Sequence, residues 1–177
     1  MCRHFRTQKT SDWKWMSAGK FNEWIASNES ALPLKCQNDG SSDKDLEICV
    51  SSDLPRAVAT AKMCVSNIRI EYNSDLAEVP FTPFHSAFFL PKAAWLFLSR
   101  LRWYFGDDDY ENKKKTVSRA KNVVKMLNEM NVKSILVVSH GFFMKCLVKE
   151  LKSIGFKGHF SIYPEHGKLY VFEKHSI

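Results

Sequence analysis

Two short apolar runs, each followed at once by an amphipathic segment, constrain the fold of this chain more than any other feature. The runs cover residues 46–51 and 134–139, and both indicate buried strands. A helix is predicted directly after each run, over residues 54–67 with Asp53 as its N-cap, and over residues 141–154. Strands that alternate with helices in this way are typical of an α/β domain with a mostly parallel sheet.

Four further segments complete the predicted order of elements. Helices are predicted over residues 17–30, with Ser17 as the N-cap, and over residues 110–130. Strands are predicted over residues 68–72 and 168–174, because polar and apolar side chains alternate there. A chain of 177 residues holds one such core. We therefore expect a single α/β domain, a mostly parallel sheet with helices on both faces.

Charge and cysteine content limit the class of protein. The chain has 26 basic and 19 acidic residues, a net charge of +7, which favours anionic partners. The cysteines are odd in number and form no CxxC pair, so we expect reduced thiols and no zinc site. They are Cys2, Cys36, Cys49, Cys64 and Cys146. No signal peptide and no transmembrane span are predicted, which indicates a cytoplasmic protein.

Side chains that could do chemistry stand at both junctions between a strand and a helix. In an open α/β sheet, ligands bind beyond the carboxyl ends of the strands, and the N-terminus of the next helix attracts anions. Arg56 follows the first junction, and His140 with Gly141 forms the second. A further pair, Arg3 and His4, stands near the start of the chain. Guanidinium and imidazole groups beside a helix N-terminus indicate a phosphate site.

These motifs resemble, in order and spacing, those of the histidine phosphatase superfamily, the phosphoglycerate mutase-like group. The family's Arg-His-Gly signature matches Arg3, His4 and Phe5, with Phe5 in the place of the usual glycine. In this replacement the chain resembles a bacterial subgroup of the family. The motif Ser-Asp-Leu-x-Arg-Ala-x-x-Thr-Ala stands at residues 52–61, and a Leu-x-Glu motif at residues 76–78. The last motif, an apolar strand followed by Ser-His-Gly, stands at residues 135–141.

The resemblance implies a phosphatase that works through a phosphohistidine and needs no metal ion or other cofactor. His4 would attack phosphorus, and Glu78 would protonate the leaving oxygen. Nearby arginines and a protonated His140 would depress the pKa of His4 and keep it neutral. The implied catalytic residues are His4, Glu78 and His140, and the implied phosphate-binding residues are Arg3, Arg56, His140 and Gly141.

Two other activities remain open. One is phosphoryl transfer of the phosphoglycerate mutase type, which the short chain disfavours, and the other is binding of a phospholigand without catalysis. A cysteine phosphatase is disfavoured because six residues separate Cys49 from Arg56 where that class needs five. The expected partner is a phosphorylated small molecule or phosphoprotein, with no nucleic acid. The natural substrate and the oligomeric state cannot be read from the sequence.

The segment over residues 81–105 is rich in aromatic and basic side chains. It follows Glu78 directly, so we expect it to form a wall or lid of the active site. A peripheral membrane or partner surface and a stacking surface for nucleic acid are the alternatives. The expected domain covers residues 1–177, with the aromatic-rich insertion or lid at about 79–116.

Overall fold

Short strands and helices alternate along the residues that the computed structural model describes, which are 1–7, 14–33, 46–106 and 109–174. In chain order the elements are β1 (Cys2–Arg3), β2 (Trp15–Ser17), α1 (Ala18–Ser30), β3 (Ile48–Ser51), α2 (Pro55–Cys64), β4 (Arg69–Tyr72), a 3₁₀ helix (Ser74–Leu76), β5 (Phe89–Pro91), α3 (Lys92–Phe105), α4 (Lys113–Glu129), β6 (Ile135–Ser139) and α5 (Gly141–Ser153).

Four of these strands form a central sheet in the order β1-β6-β3-β4, and each pairs in parallel with its neighbours. In β6, Ser139 lies opposite Arg3 of β1, and Val138 lies opposite Ser51 of β3. Because all four strands run in one direction, their carboxyl ends meet at one edge. The predicted α/β fold with a mostly parallel sheet is confirmed.

Helices cover both faces of this sheet, because the side chains of β3 and β6 alternate between them. On one face, Val50 and Val137 belong to a large apolar core built with α4 and α5. On the other face, Cys49 and Leu136 belong to a smaller core with α2, which contributes Ala57 and other residues. The two apolar runs are therefore buried on both sides, as parallel strands require.

A third apolar cluster joins α1 and α3 to the antiparallel pair β2–β5. Its centre is Trp95, whose ring packs against Phe21 and Phe84 and whose Nε1–H donates to Met16 O at 2.9 Å. The N-cap predicted for α1 is confirmed, since the Ser17 side chain accepts from Lys20 N. Part of the aromatic-basic segment is thus the core of this cluster.

The predicted N-cap of α2 was wrong by one residue. Leu54, and not Asp53, occupies the N-cap position, and no side chain caps the helix there. The cause is Pro55 in the first turn, which forces the residue before it into an extended conformation. The hydroxyl of Ser52 accepts the Leu54 N–H at 3.2 Å instead.

The strand predicted over residues 168–174 is also absent from the described structure. Only isolated bridges occur there, between Leu169 and Cys2 and between Glu173 and Lys157. The segment runs antiparallel to β1, and Gly167, with a φ of +74°, turns the chain into it. Alternation alone could not distinguish this extended edge segment from a regular strand.

Four of the five cysteines lie in the described residues and form no disulfide there, whereas Cys36 lies outside them. Cys2 and Cys49 are buried, while Cys64 and Cys146 are partly exposed. Within the described ranges, no helix has the length and apolar character needed to span a bilayer.

Trp95→Ala should reduce the free energy of unfolding by about 3–5 kcal/mol, because it removes the centre of the third cluster and leaves a cavity. The matched control is Tyr163→Ala, since that ring is 81% exposed and its loss should change stability by less than about 0.5 kcal/mol. Urea denaturation of both variants measures the difference. Similar losses would contradict the assignment of Trp95 to the core.

Candidate active site

The loops that follow the strands meet at the carboxyl edge of the central sheet. His4 follows β1, Ser52 follows β3, and His140 follows β6. Ser139 ties the edge together, because its carbonyl accepts the His4 N–H at 3.0 Å and its hydroxyl donates at 2.8 Å to the 3₁₀ helix that precedes Glu78. All six site residues predicted from the sequence lie at this edge. They are Arg3, His4, Arg56, Glu78, His140 and Gly141.

His4 is buried and held in one tautomer. Its Nδ1 lies 2.7 Å from Phe5 O, and a carbonyl only accepts, so Nδ1 carries the proton and Nε2 keeps its lone pair. Burial lowers the pKa of His4 to about 3, and the positive charges of Arg56 and Arg3 act in the same direction. The ring is therefore neutral and has one nitrogen available as a nucleophile.

His140 is fully buried and carries its proton on the other nitrogen. Arg56 Nε donates to His140 Nδ1 at 3.2 Å, so His140 Nε2 carries the proton and donates to Ser52 Oγ at 2.9 Å. Burial and the proximity of His4 and the arginines lower the pKa of His140 well below its usual value. The expectation that His140 is protonated was wrong: this ring is neutral, and its centroid lies 5.0 Å from that of His4.

Arg56 links α1 to the edge of the sheet. Besides its bond to His140, its Nη1 donates to the carbonyls of Asn28 at 2.9 Å and Glu29 at 3.0 Å, in the last turn of α1. The guanidinium is buried. Placing it against helix C-terminal carbonyls compensates part of its lost hydration, because these oxygens carry the negative end of the helix dipole.

Arg3 lies against the first residue of α5. Its Nη1 donates to Pro164 O at 2.7 Å, whereas its buried Nε–H has no protein partner in the described structure. A Cβ on Gly141 would lie 2.9 Å from Arg3 Nε, so a larger residue at this position would displace the Arg3 guanidinium. The unsatisfied donor and the start of the helix thus lie side by side.

The hydrogen bonds of Thr60 account for its place in the sequence motif at 52–61. Its hydroxyl accepts the Phe5 N–H at 3.0 Å and donates to Arg56 O at 2.7 Å. The loop after His4 is thereby fixed to α2. The ring of Phe5 is buried against Gly167, where a Cβ would lie 2.7 Å from it.

His166 is a third histidine at the site, and the sequence analysis missed it. Its Nδ1–H donates to His4 O at 2.9 Å, and the two ring centroids lie 5.1 Å apart. Burial lowers the pKa of His166 below its usual value. No local pattern marks this residue, because the segment that follows Pro164 brings it to His4 through tertiary packing alone.

Glu78 occupies part of the N-terminus of α5. Its Oε1 accepts from Val79 N and Phe143 N, both at 3.0 Å, and its Oε2 accepts from Phe142 N at 3.3 Å. Two amides of the first helical turn are therefore satisfied by this carboxylate. The first residue of the helix, Gly141, faces Arg3 instead.

Two arginines fix the backbone on either side of Glu78. Arg119 of α4 donates to Ala77 O at 3.1 Å, and Arg100 of α3 donates to Val79 O at 3.3 Å. The Arg119 guanidinium is also paired with Glu111, and that of Arg100 lies between the rings of Phe81 and Phe142, at 4.2 and 3.9 Å. Neither arginine belongs to a recognisable motif, and both act through carbonyls distant in sequence.

A cavity of about 440 Å³ opens beside these groups. Its wall contains Arg56 and Glu78 together with Glu29, Phe81 and Arg119, while His4 and His140 lie outside this wall. In the part of the chain that the structure describes, no three His, Cys, Asp or Glu side chains are grouped as metal ligands would be. The described site thus presents cations, neutral imidazoles and the Glu78 carboxylate, with further carboxylates in the cavity wall.

Comparison with known proteins identifies similar sequences and folds. The model of the histidine phosphatase superfamily, branch 1, matches residues 38–176. No match was found among curated protein sequences. A candidate alpha-ribazole-5'-P phosphatase from Escherichia coli K-12 is 20% identical, with a TM-score of 0.51 over 85% of this chain and 77% of that chain. A structure named mycobacterial hydrolase 1 is 15% identical, with a TM-score of 0.52 over 90% and 88%. At this identity the structures show a shared fold.

The neutral histidines should make the fold sensitive to acid. At pH values between the usual histidine pKa and about 3, His4 is protonated in the unfolded chain but not in the folded one. The free energy of unfolding therefore falls as the pH falls through this range. The expected slope is about 1.4 kcal/mol per pH unit for each such histidine. Urea denaturation at neutral and mildly acidic pH measures it. His4→Gln should flatten the dependence, whereas the same change at exposed His159 should leave it intact; equal slopes in all three proteins would contradict the assignment.

Proposed function

Because the chain belongs to the histidine phosphatase superfamily, branch 1, we propose that it hydrolyses a phosphomonoester through a phosphohistidine formed on His4, without a metal ion or other cofactor. One observation carries the proposal: Phe5 O holds the proton of His4 on Nδ1, so Nε2 keeps a lone pair on a neutral ring. A neutral imidazole of fixed orientation is what nucleophilic attack on phosphorus requires.

The reaction then has two balanced steps. In the first, His4 Nε2 attacks phosphorus, the bond to the leaving oxygen breaks, and Glu78 gives its proton to that oxygen. In the second, water attacks the phosphohistidine and gives a proton to Glu78, and the P–N bond breaks to release phosphate. The Oε2 atom of Glu78 is the better placed to carry this proton, because it accepts a single amide bond of 3.3 Å.

The positive charge for the transferred group would come from the protein. The buried Arg3 Nε–H has no protein acceptor in the described structure, and such a donor is costly unless an oxygen binds it. A phosphoryl oxygen beside Gly141 would fill that role, with Arg56 on the opposite side and the Nε2–H of His140 turning from Ser52 to the same group. These fixed dipoles and charges would stabilise the transition state.

We extend the proposal to the whole chain. The family match begins at residue 38, yet β1 pairs with β6 and delivers His4 to the same edge, so residues 1–177 would form one phosphatase domain. The insertion at about 79–116 would form the wall of the leaving-group side, since Phe81 and Glu111 line the cavity. The substrate would be a phosphorylated small molecule or phosphoprotein, in keeping with the name of the similar 5'-P phosphatase.

The covalent step is tested by rapid quench with a labelled phosphomonoester. We expect label on the wild-type protein that is lost in acid and kept in base, and we expect neither label nor turnover in His4→Ala. His159→Ala, at an exposed histidine, is the control and should label normally.

All these assays are run in the presence of a chelator. Turnover that needs a divalent ion, or that persists in His4→Ala, would contradict the proposal. Binding of substrate without label would identify a phospholigand-binding protein, and return of the label to a second acceptor other than water would identify a mutase.

Glu78→Gln should slow the hydrolysis of an alkyl phosphate by about 10²–10⁴-fold, because an alkoxide needs a proton to leave. Labelling of His4 by nitrophenyl phosphate should be much less affected, since nitrophenolate leaves without help. Single-turnover rates with both substrates measure the difference. Equal losses for the two leaving groups would contradict the general-acid role.

A matched pair of arginines on α3 extends this test. Arg100→Gln releases the Val79 carbonyl beside Glu78 and should show the same leaving-group pattern as Glu78→Gln, to a smaller degree. Arg102→Gln is the control, because Arg102 donates to Pro83 O, away from Glu78. In the Glu78→Gln background, Arg100→Gln should add little; a further multiplicative loss would contradict a role through Glu78.

A further inference from the structure

The outer face of α3 is apolar along its whole length. Phe97, Leu101 and Phe105 follow one another at spacings of four, and Tyr104 and Ala93 lie on the same side of the helix. All five are exposed, Phe97 by 63% and Phe105 by 78%. An exposed helix face is normally polar, so a contiguous apolar stripe of this kind indicates an interaction surface.

The charged side chains of the same helix face the protein. Arg100 and Arg102 donate to the carbonyls of Val79 and Pro83, on the inner side of α3. Trp95 and Ser99 are buried on that side as well. The arginines thus place no charge on the middle of the outer face, although Lys113 of α4 lies 4.0 Å above the Tyr104 ring at its end. Such an apolar face would be unfavourable if water covered it permanently.

The outer face is complementary in size to itself when two copies are antiparallel. A two-fold axis between Phe97 and Leu101 places these two residues of one copy opposite Leu101 and Phe97 of the other. It also places Ala93 opposite Phe105 and the half-buried Ala94 opposite Tyr104, so that small side chains meet large ones at both ends. A parallel pair would bring Phe105 against Phe105 and leave a gap between the alanines.

The area available is that of a stable dimer. The apolar surface continues at the start of α3 with Phe88, Phe89 and Trp15, which are all more than half exposed. The rings of Trp15 and Phe89 stack at 6.4 Å, and Trp15 pairs with Pro91 at the end of β5. A whole aromatic side chain has a surface of about 200 Å². Summed over the stripe and these three residues, the exposed fractions correspond to roughly 800 Å², which is the area that each partner contributes to a standard interface.

We propose that this surface binds a second copy of the chain, with the two α3 helices antiparallel. An anionic membrane is the less favoured occupant, because a bilayer does not require the match of small and large side chains that the antiparallel register provides. The proposal is independent of the chemistry at His4.

Sedimentation equilibrium of the full chain over a roughly hundredfold range of concentration tests the proposal. Wild type should be a dimer in equilibrium with monomer, and Phe97→Ser with Leu101→Ser should raise the dissociation constant at least about tenfold. The control is Ile162→Ser with Tyr163→Ser, an equally apolar exposed pair away from α3, which should leave it unchanged. Circular dichroism verifies that both double variants are folded.

The antiparallel register is tested by mixing two variants. Ala93→Lys and Phe105→Glu should each weaken self-association, and their equimolar mixture should form a heterodimer in which these opposite charges meet. The proposal would be overturned by a wild type that stays monomeric, whether or not it sediments with anionic vesicles. It would also be overturned by a dimer that survives Phe97→Ser with Leu101→Ser, or by an equimolar mixture of the two charged variants that does not associate.

Discussion

Guanidinium groups that donate hydrogen bonds to backbone carbonyls hold the carboxyl edge of the sheet together. Arg3 binds the carbonyl of Pro164, Arg56 those of Asn28 and Glu29, Arg100 that of Val79, and Arg119 those of Asp75 and Ala77. A buried cation is unfavourable unless such partners surround it, so each arginine fixes the segment whose oxygens it binds. The end of α1, the residues around Glu78 and the last segment of the chain are all positioned in this way, although none is adjacent in sequence to the arginine that holds it.

The choice of carbonyls over carboxylates has an electrostatic consequence. Among the described residues, Arg119 is paired with Glu111, but Arg3, Arg56 and Arg100 have no carboxylate within ion-pair distance. Carbonyl oxygens solvate their charge and Glu78 offsets part of it, which leaves a net positive potential at the edge of the sheet. Burial lowers the pKa values of both His4 and His140, and this potential acts in the same direction. One arrangement therefore provides both attraction for an anion and neutral imidazoles.

Local patterns predicted the parts of the structure that depend on neighbouring residues. Apolar runs with a helix directly behind them identified β3–α2 and β6–α5, and with them the places of Arg56 and His140. The role of His166 and the hold of Arg100 on Val79 O could not be predicted, because both depend on contacts across the fold. The prediction of a strand over residues 168–174 was wrong for the same reason. Alternation indicates which side chains face the core, whereas regular pairing depends on the neighbouring strand.

That neighbouring strand is β1, and it is too short to hold His4 by itself. Strands in sheets usually have about five or six residues, whereas β1 has two and pairs with β6 on one side only. The late segment supplies the missing contacts on the other side, where Tyr170 N donates to Met1 O at 2.7 Å and Gly167 N donates to Arg3 O at 2.9 Å. His166 continues this series by binding His4 O. The position of the His4 ring therefore depends on residues some 160 positions away, and a turn that only Gly167 can make without strain is part of the site's geometry.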